Sequence, residues 1–138
     1  MSIIVKALSV REPWATLLVY RYKTIECRTW SVKYRGPLCI CASGAMNRKD
    51  KGNSAYFRDA FPAMPPVTPG HALGVVTLTD CRPMKVTESV FSLVYHDPTT
   101  IGWFVENAYR FRNPFPVKGR LGLFDIELTD AQAREVGL

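Results

Sequence analysis

Hydrophobic and polar side chains succeed one another in short stretches along this chain, and the first two stretches predict a strand followed by a helix. Residues 3–10 (IIVKALSV) are rich in β-branched and aliphatic side chains, which is typical of a strand, and this strand should end near Ser9. Glu12-Pro13 then opens a helix, since proline at the first helical position loses no hydrogen bond. Side chains from Trp14 to Arg21 continue at helical spacing, so we expect about two to three turns.

The segment KTIECRTW after this helix changes to an alternation with a period of two residues. In a strand, this alternation places Thr24, Glu26 and Arg28 on one face, while Ile25 and Cys27 lie on the other. One face of the predicted strand is therefore polar and charged.

Two further strands are predicted around a long irregular segment. A turn signal at Arg35-Gly36-Pro37 precedes the apolar run LCICAS, which predicts a buried strand that ends at Ser43. Residues 44–70 are rich in glycine, proline and charged side chains, and they predict an excursion from the sheet with a short helix around Ala55–Ala60. The segment His71–Asp80 predicts another strand, in which Gly74 marks a bulge or a barrel corner.

The last third of the chain completes the predicted fold class. Its elements are a helix over Thr87–Val94 with Thr87 as the cap, a strand over Trp103–Phe111, a turn over Pro114–Gly119, a strand over Leu121–Leu128 and a helix from Thr129. Many short strands and few long helices predict an α+β fold, a small and partly open mixed β-barrel flanked by short helices. A chain of 138 residues with 47% hydrophobic side chains is expected to form a single domain over residues 1–138.

The net charge favours an anionic partner. There are 18 lysines and arginines against 12 aspartates and glutamates, which gives a formal charge of +6. Nucleic acid or a nucleotide is the first expectation, although a basic surface also serves solubility alone. The positive residues are scattered, and only Arg48, Lys49 and Lys51 cluster, so no basic arm is predicted.

The cysteines and the apolar runs exclude several other classes of protein. Cys27, Cys39, Cys41 and Cys81 lack C-x-x-C spacing, so we expect neither a metal site nor a cofactor. No stretch approaches the ~18 apolar residues of a membrane span, and the N-terminus does not read as a signal peptide. These features predict a cytoplasmic protein with reduced thiols, with no membrane association and no feature that sets an oligomeric state.

Five segments of the chain together resemble one known family. They are LSVREPWATLLVYRYKTIECRTW, YRGPLCICAS, GVVTLTDC, WFVENAYRF and PVKGRLGLF. In order and spacing they resemble the ASCH domains, a branch of the PUA-like superfamily. The resemblance implies a PUA-like β-barrel with a cleft between the barrel and the first helix, so Pro13 to Ser43 should form a polar-lined mouth that receives a nucleobase or nucleotide.

The family's activities differ, so the resemblance implies several functions. Proteins with this fold bind RNA, one ASCH member is described as a ribonuclease, and a small bacterial member hydrolyses the acyl amide of N(4)-acetylcytidine with a lysine, a threonine and a glutamate. The lysine carries over to Lys23, but the position of the threonine holds Glu26, and Thr24 is the nearest hydroxyl. Glu88 is the candidate for the family glutamate. Arg21 stands where the family often has a glycine, so a non-glycine residue must turn the chain into Lys23.

The candidate catalytic residues are Lys23, Glu26 and Thr24. Glu26 could activate water, Lys23 could stabilise the oxyanion or donate a proton, and a hydroxyl activated by Lys23 is an alternative nucleophile. Pairing would lower the pKa of the carboxylate, whereas burial would favour the neutral forms of both groups. The alternative interpretation of Lys23 and Glu26 is a plain surface salt bridge.

The candidate substrate-binding residues contribute hydroxyls, a cation and aromatic rings. They are Ser9, Trp14, Arg28, Ser43 and Trp103. Arg28 could bind a phosphate or merely neutralise Glu26. A tryptophan ring could stack on a base, but at helical spacing with leucines Trp14 also fits a core position.

Three functions are consistent with this sequence. The first is a metal-independent amidohydrolase that removes the acyl group from N(4)-acylated cytosine or cytidine, with a small-molecule nucleobase or nucleoside as its partner. The second is an RNA-binding PUA-like module that reads an unstacked base. The third is a single-stranded ribonuclease.

Overall fold

Six strands and four helices lie in the part of the chain that the structure describes. A computed structural model describes residues 2–94 and 97–138. In chain order the elements are β1 (Ser2–Val10), α1 (Trp14–Val19), β2 (Ile25–Arg28), β3 (Gly36–Ala42), α2 (Arg48–Ala60), β4 (His71–Pro83), a 3₁₀ turn (Val86–Glu88), α3 (Ser89–Ser92), β5 (Ile101–Pro116), β6 (Leu123–Thr129) and α4 (Asp130–Glu135). The predicted α+β class is confirmed.

All six strands form one mixed sheet with the order β2-β5-β4-β3-β1-β6. β1 and β3 run parallel, and the other neighbouring pairs are antiparallel. In the described part of the chain β2 and β6 do not pair with each other, so the sheet is open and a closed barrel is not confirmed.

The two sides of β3 explain why its sequence is apolar without interruption. Leu38, Ile40 and Ala42 face a core cluster that includes α1, whereas Cys39 and Cys41 face a second cluster that includes Phe124 and Leu128. A strand that is covered on both sides has no polar alternation. As the sequence predicts, the two cysteines point the same way, and both are buried free thiols.

The bulge predicted at Gly74 is confirmed, and its geometry explains the glycine. The β4–β5 register shifts between Ala72 and Gly74. A Cβ atom at Gly74 would lie 2.3 Å from the carbonyl oxygen of Tyr109, so no larger residue fits this close approach of two strands.

Several predicted helix boundaries are wrong. α1 has six residues, fewer than predicted, and Pro13 occupies its N-cap instead of its first helical position. α2 begins at Arg48, far before Ala55, because the Asn47 side chain accepts from Asp50 N while the Asp50 carboxylate accepts from Asn47 N. The segment predicted as one helix from Thr87 is instead the 3₁₀ turn and α3, and Lys85 is the cap of the turn.

The long strands and the C-terminal helix differ less from their predictions. β4 and β5 extend beyond the predicted ends, so Pro114 lies inside β5 and not in a turn, and β6 starts at Leu123. Thr129 caps α4 as predicted, with its Oγ1 accepting from Gln132 N at 3.1 Å.

No helix within the described ranges has both the length and the apolar character that crossing a membrane requires.

Candidate functional site: a cationic cleft beside the first helix

A buried carboxylate fixes the start of α1 against the rest of the molecule. Glu12 accepts hydrogen bonds from Thr16 N at 2.9 Å, from Thr16 Oγ1 at 2.7 Å and from Thr68 N at 3.1 Å. Burial raises the pKa of Glu12, and these three hydrogen bonds oppose the rise. This anchoring holds Trp14 on the wall of the cleft described below.

A left-handed residue ends α1 and turns the chain into Lys23. Arg21 has φ of 67°, and the amides of Tyr22 and Lys23 both donate to the carbonyl oxygen of Leu17, at 3.0 and 3.1 Å. The Arg21 guanidinium donates to the carbonyl oxygen of Ala108 at 2.6 Å, which holds this arginine in place. The turn predicted for a non-glycine residue is confirmed.

Lys23 is a buried cation whose side chain is 1% exposed. Its Nζ lies 3.7 Å from Glu26 Oε1, donates to the carbonyl oxygen of Ser92 and sits 5.1 Å from the centre of a Trp14 ring. Burial lowers the pKa of Lys23, and the nearby Glu26 carboxylate opposes that change. The ammonium therefore has partners on several sides but very little contact with solvent.

Glu26 lies between two cations. Arg28 Nε donates to Glu26 Oε2 at 3.1 Å, on the side of the carboxylate away from Lys23, and the Glu26 side chain is 9% exposed. Arg28 Nη2 also donates to the carbonyl oxygen of Ser9 at 2.7 Å, which ties β2 to the end of β1. Lys23, Glu26 and Arg28 thus form a charged cluster, which we call the floor.

The floor lies at a cleft of about 780 Å³. This volume falls in the roughly 300–1,000 Å³ range that is typical of small-molecule sites. The cleft brings together six of the eight candidate residues predicted from the sequence, which are Ser9, Trp14, Lys23, Glu26, Arg28 and Ser43. Their convergence fits a polar-lined mouth between Pro13 and Ser43.

The other two candidates, Thr24 and Trp103, lie elsewhere, as does Glu88, the residue suggested for the family glutamate. Thr24 is exposed and lines a separate cavity of about 270 Å³ together with Arg21 and Asn107. Trp103 is fully buried in the core and donates from Nε1 to the carbonyl oxygen of Trp30 at 3.0 Å. Glu88 is held away from the cleft by two hydrogen bonds from the Arg82 guanidinium, at 3.0 and 2.8 Å.

The far wall of the cleft comes from segments that the sequence reasoning did not assign to the site. They contribute Arg11, Asn47, Lys49, Asp50, Asn53, Arg120 and Leu121. Arg11 bridges to α2 through two hydrogen bonds to Asp50 Oδ2, at 3.1 and 2.5 Å, and these bonds lower the pKa of Asp50. The N-x-x-D pattern at Asn47 was a usable signal, because it marks a helix start beside a basic cluster.

Positive charge predominates around the cleft. Its walls carry five cations, which are Arg11, Lys23, Arg28, Lys49 and Arg120, against the two carboxylates of Glu26 and Asp50. None of the ion pairs among the described residues involves Lys49 or Arg120, and both side chains are exposed. Within residues 2–94 and 97–138, no three histidine, cysteine, aspartate or glutamate side chains are placed to hold a metal ion.

The fold and the cleft can now be compared with known proteins. The model of the ASCH domain family matches residues 8–115. The chain belongs to the ASCH domain family. The match includes β1 from Leu8, α1, the floor and most of β5, so most of the elements that line the cleft belong to the ASCH domain with its PUA-like fold, whereas Arg120 and Leu121 follow the matched residues.

Curated relatives of this ASCH domain are much longer proteins. Activating signal cointegrator 1 of Mus musculus is 28% identical over 144 residues, which cover 95% of this chain and 24% of that protein. The protein of the same name from Homo sapiens has the same identity and coverage. The chain therefore spans about a quarter of the length of the curated relatives that it matches.

A solved ASCH structure shares the fold. The ASCH protein of Zymomonas mobilis superimposes with a TM-score of 0.58 at 12% identity, and the match covers 94% of this chain and 91% of that chain. At this identity the likeness concerns the arrangement of strands and helices alone.

Proposed function

We propose that this ASCH domain binds single-stranded RNA and takes one unstacked nucleotide into the cleft. The observation that carries the proposal is the combination of five cations with two carboxylates around a cleft of about 780 Å³. The PUA-like fold of ASCH domains is an RNA-binding fold, which supports the same function.

The floor offers both kinds of hydrogen-bonding group to a base. Lys23 and Arg28 donate, and the Glu26 carboxylate accepts. Because these groups lie at the base of a recess, a base inside a duplex cannot reach them, whereas an unstacked base can present its edge. This geometry favours single strands over helical RNA.

Two tryptophans give the cleft apolar wall area. Trp14 packs edge-on against Phe57 with ring centres 5.4 Å apart, and Trp30 packs edge-on against Trp103 at 4.8 Å. Both half-buried rings are therefore held by a second ring, and a base that stacks on one gains about 1–3 kcal/mol. The core role considered for Trp14 and a binding role are compatible in this position.

Lys49 and Arg120 are the cations best placed for phosphate. Lys49 comes from α2 and Arg120 from the segment between β5 and β6, so the two approach the cleft from different elements. Neither cation takes part in an ion pair among the described residues, and exposed cations of this kind can neutralise phosphates and release counterions.

Binding can be tested with one short RNA in two forms. We expect the purified domain to bind a fluorescent single-stranded RNA of about ten nucleotides more tightly than the same sequence in a duplex, with affinity that falls as salt rises. Equal affinity for both forms, or no binding at low salt, would contradict the proposal.

A second function is favoured by one specific observation, the separation of 3.7 Å between the buried Lys23 ammonium and Glu26. We propose that this pair could hydrolyse the amide of an N(4)-acylated cytosine or cytidine. Water adds to the acyl carbonyl with Glu26 accepting its proton, and Lys23 stabilises the oxyanion. The bond between the acyl carbon and N4 then breaks as N4 takes that proton from Glu26, which releases the carboxylic acid and the free amine. Water serves as the nucleophile here because Thr24 faces the other cavity.

This activity has a direct assay. The domain should release cytidine from N(4)-acetylcytidine without added metal, and Lys23→Ala or Glu26→Ala should abolish the release while circular dichroism shows an intact fold. Absence of release by the unaltered domain, or release that survives both substitutions, would exclude the hydrolase.

A further inference from the structure

The hydroxyl of Ser9 is an unusual buried group. It lies at the end of β1 on the wall of the cleft. Across residues 2–94 and 97–138, Ser9 Oγ is the one buried side-chain nitrogen or oxygen atom without a hydrogen-bond partner. A buried polar atom without a partner costs folding free energy, so its presence needs a reason.

The backbone of Ser9 is well fixed, which limits where the hydroxyl can point. Ser9 is in register with Cys41 of the parallel strand β3, and its carbonyl oxygen accepts from Arg28 Nη2 at 2.7 Å. The backbone of Ser9 therefore lies next to the floor, with the hydroxyl on the wall of the cleft.

A glycine covers this hydroxyl. A Cβ atom at Gly119 would lie 2.6 Å from Ser9 Oγ, so any larger residue at position 119 would force the hydroxyl or this segment to shift. Gly119 belongs to the segment 117–122, which joins β5 to β6 and also brings Arg120 and Leu121 to the cleft. Val117 N donates to the carbonyl oxygen of Gly70 at 3.0 Å and its side chain packs on the core, whereas Leu121 is 99% exposed and does not anchor the residues that follow Val117.

We propose that the Ser9 hydroxyl is a specificity-determining contact, kept unpaired beneath Gly119 in the free protein and hydrogen-bonded to the base edge of the bound nucleotide once residues 118–122 shift. The inference rests on the proposed RNA-binding function. This role explains why an unpaired hydroxyl that costs stability lies on the wall of the cleft. A hydroxyl can both donate and accept, and the bound nucleotide gives the Ser9 hydroxyl its hydrogen-bond partner.

Ser9→Ala tests the inference, because binding and stability should respond differently. We expect the dissociation constant for the single-stranded RNA to rise about 3- to 10-fold, which corresponds to one net hydrogen bond, while the melting temperature does not fall. The matched control is Ser54→Ala, since Ser54 is also buried but donates to the carbonyl oxygen of Asp50 at 2.9 Å and lies outside the cleft lining. It should bind RNA like the unaltered domain.

A double-mutant cycle tests the contact between the two segments independently of RNA. Gly119→Ala should lower the melting temperature when Ser9 is present, because its Cβ meets Oγ at 2.6 Å. In the Ser9→Ala background the nearest remaining atom, the residue 9 Cβ, lies 3.6 Å away, so the same change should cost much less. An equal fall in melting temperature in both backgrounds would show that Gly119 does not lie against the Ser9 hydroxyl, which would overturn the inference.

The outcomes separate the two proposals. If the unaltered domain binds no RNA, the proposed function fails. If the unaltered domain binds and Ser9→Ala binds equally well, the role of Ser9 fails while the function stands. A melting temperature that falls in Ser9→Ala would also count against the inference, because it would show that the hydroxyl has a stabilising partner in the free protein.

Discussion

Lys23 lines the cleft with a charged group that has almost no contact with solvent. Its ammonium is buried between Glu26, Trp14 and the carbonyl of Ser92, and α1 and the Arg21 turn hold it there. A charge in such a place is disfavoured by burial and favoured by its partners, and the lowered pKa shows that burial has the larger effect. The stability of the domain should therefore depend on pH through Lys23.

We expect the unfolding free energy of the unaltered domain to rise relative to Lys23→Met as the pH increases. The folded pKa of Lys23 lies below its ordinary value of 10.5, so the unfolded chain binds more protons between the two values and loses that advantage as pH approaches 10.5. Urea unfolding of both proteins between pH 7 and 10 measures the difference. A difference that stays constant with pH would contradict the burial of a titrating ammonium.

Glu88 gives the opposite kind of pH dependence. Hydrogen bonds from Arg82 lower the pKa of Glu88 from 4.5 to about 2. The ionised carboxylate therefore stabilises the fold above pH 4.5, and this contribution disappears as pH falls towards 2. In Glu88→Gln, the midpoint of urea unfolding should therefore change less with pH over that window than in the unaltered domain, and an equal change in both proteins would contradict this role of Glu88.

Some of these residue positions were predictable and others were not. The alternation of β2 was enough to place Glu26 and Arg28 on one face, whereas Lys23 was assigned to the same site through the resemblance to ASCH domains. Thr24 was misleading because β2 begins only at Ile25, which leaves the threonine outside the strand alternation. The hydrogen bond from Lys23 to the carbonyl oxygen of Ser92 on α3 joins residues 69 positions apart, so no local sequence pattern could predict it.

At the scale of elements, close backbone contact decides which glycines are required. Gly74 lies in a bulge where an added Cβ would meet Tyr109 O at 2.3 Å, whereas Gly52 lies on α2 with nothing within 4 Å of an added Cβ. We expect Gly74→Ala to destabilise the domain by at least about 1–3 kcal/mol, because two strands must separate. Gly52→Ala should stabilise it by about 0.5–1 kcal/mol through helix propensity. Thermal unfolding of both variants compares them, and similar effects would contradict the bulge geometry.

The sequence predicted elements well where a strong pattern existed. β1, β3 and β4 follow from apolar runs bounded by turn residues, and the cap at Thr129 follows from its position before α4. α2 was largely missed because its charged and glycine-containing sequence has a weak apolar face, and only Ser54, Phe57 and Asp50 are buried along it. Its start is fixed by the local capping box of Asn47 and Asp50, whereas the ion pair between Asp50 and Arg11 joins residues 39 positions apart and depends on tertiary structure.

At the scale of the whole molecule, the fold concentrates positive charge at the cleft. A formal charge of +6 spread over the chain did not predict a patch, but the fold brings Arg11, Lys49 and Arg120 from three separate segments to one opening. Barrel closure was likewise beyond the sequence, because it depends on whether the edge strands β2 and β6 meet, and no local pattern determines that.

The salt dependence of RNA binding tests the cationic cleft most directly. The informative variant is Lys49→Ala/Arg120→Ala, and its control is Lys51→Ala/Arg58→Ala, which removes two exposed cations of α2 that do not line the cleft. Fluorescence anisotropy of a single-stranded RNA across a salt series gives the slope of log affinity against log salt for each protein. The cleft variant should bind more weakly with a slope about 1.4 shallower, since each single-strand phosphate contact contributes about 0.7, while the control keeps the original slope. Equal slopes for the two variants would contradict binding at this cleft.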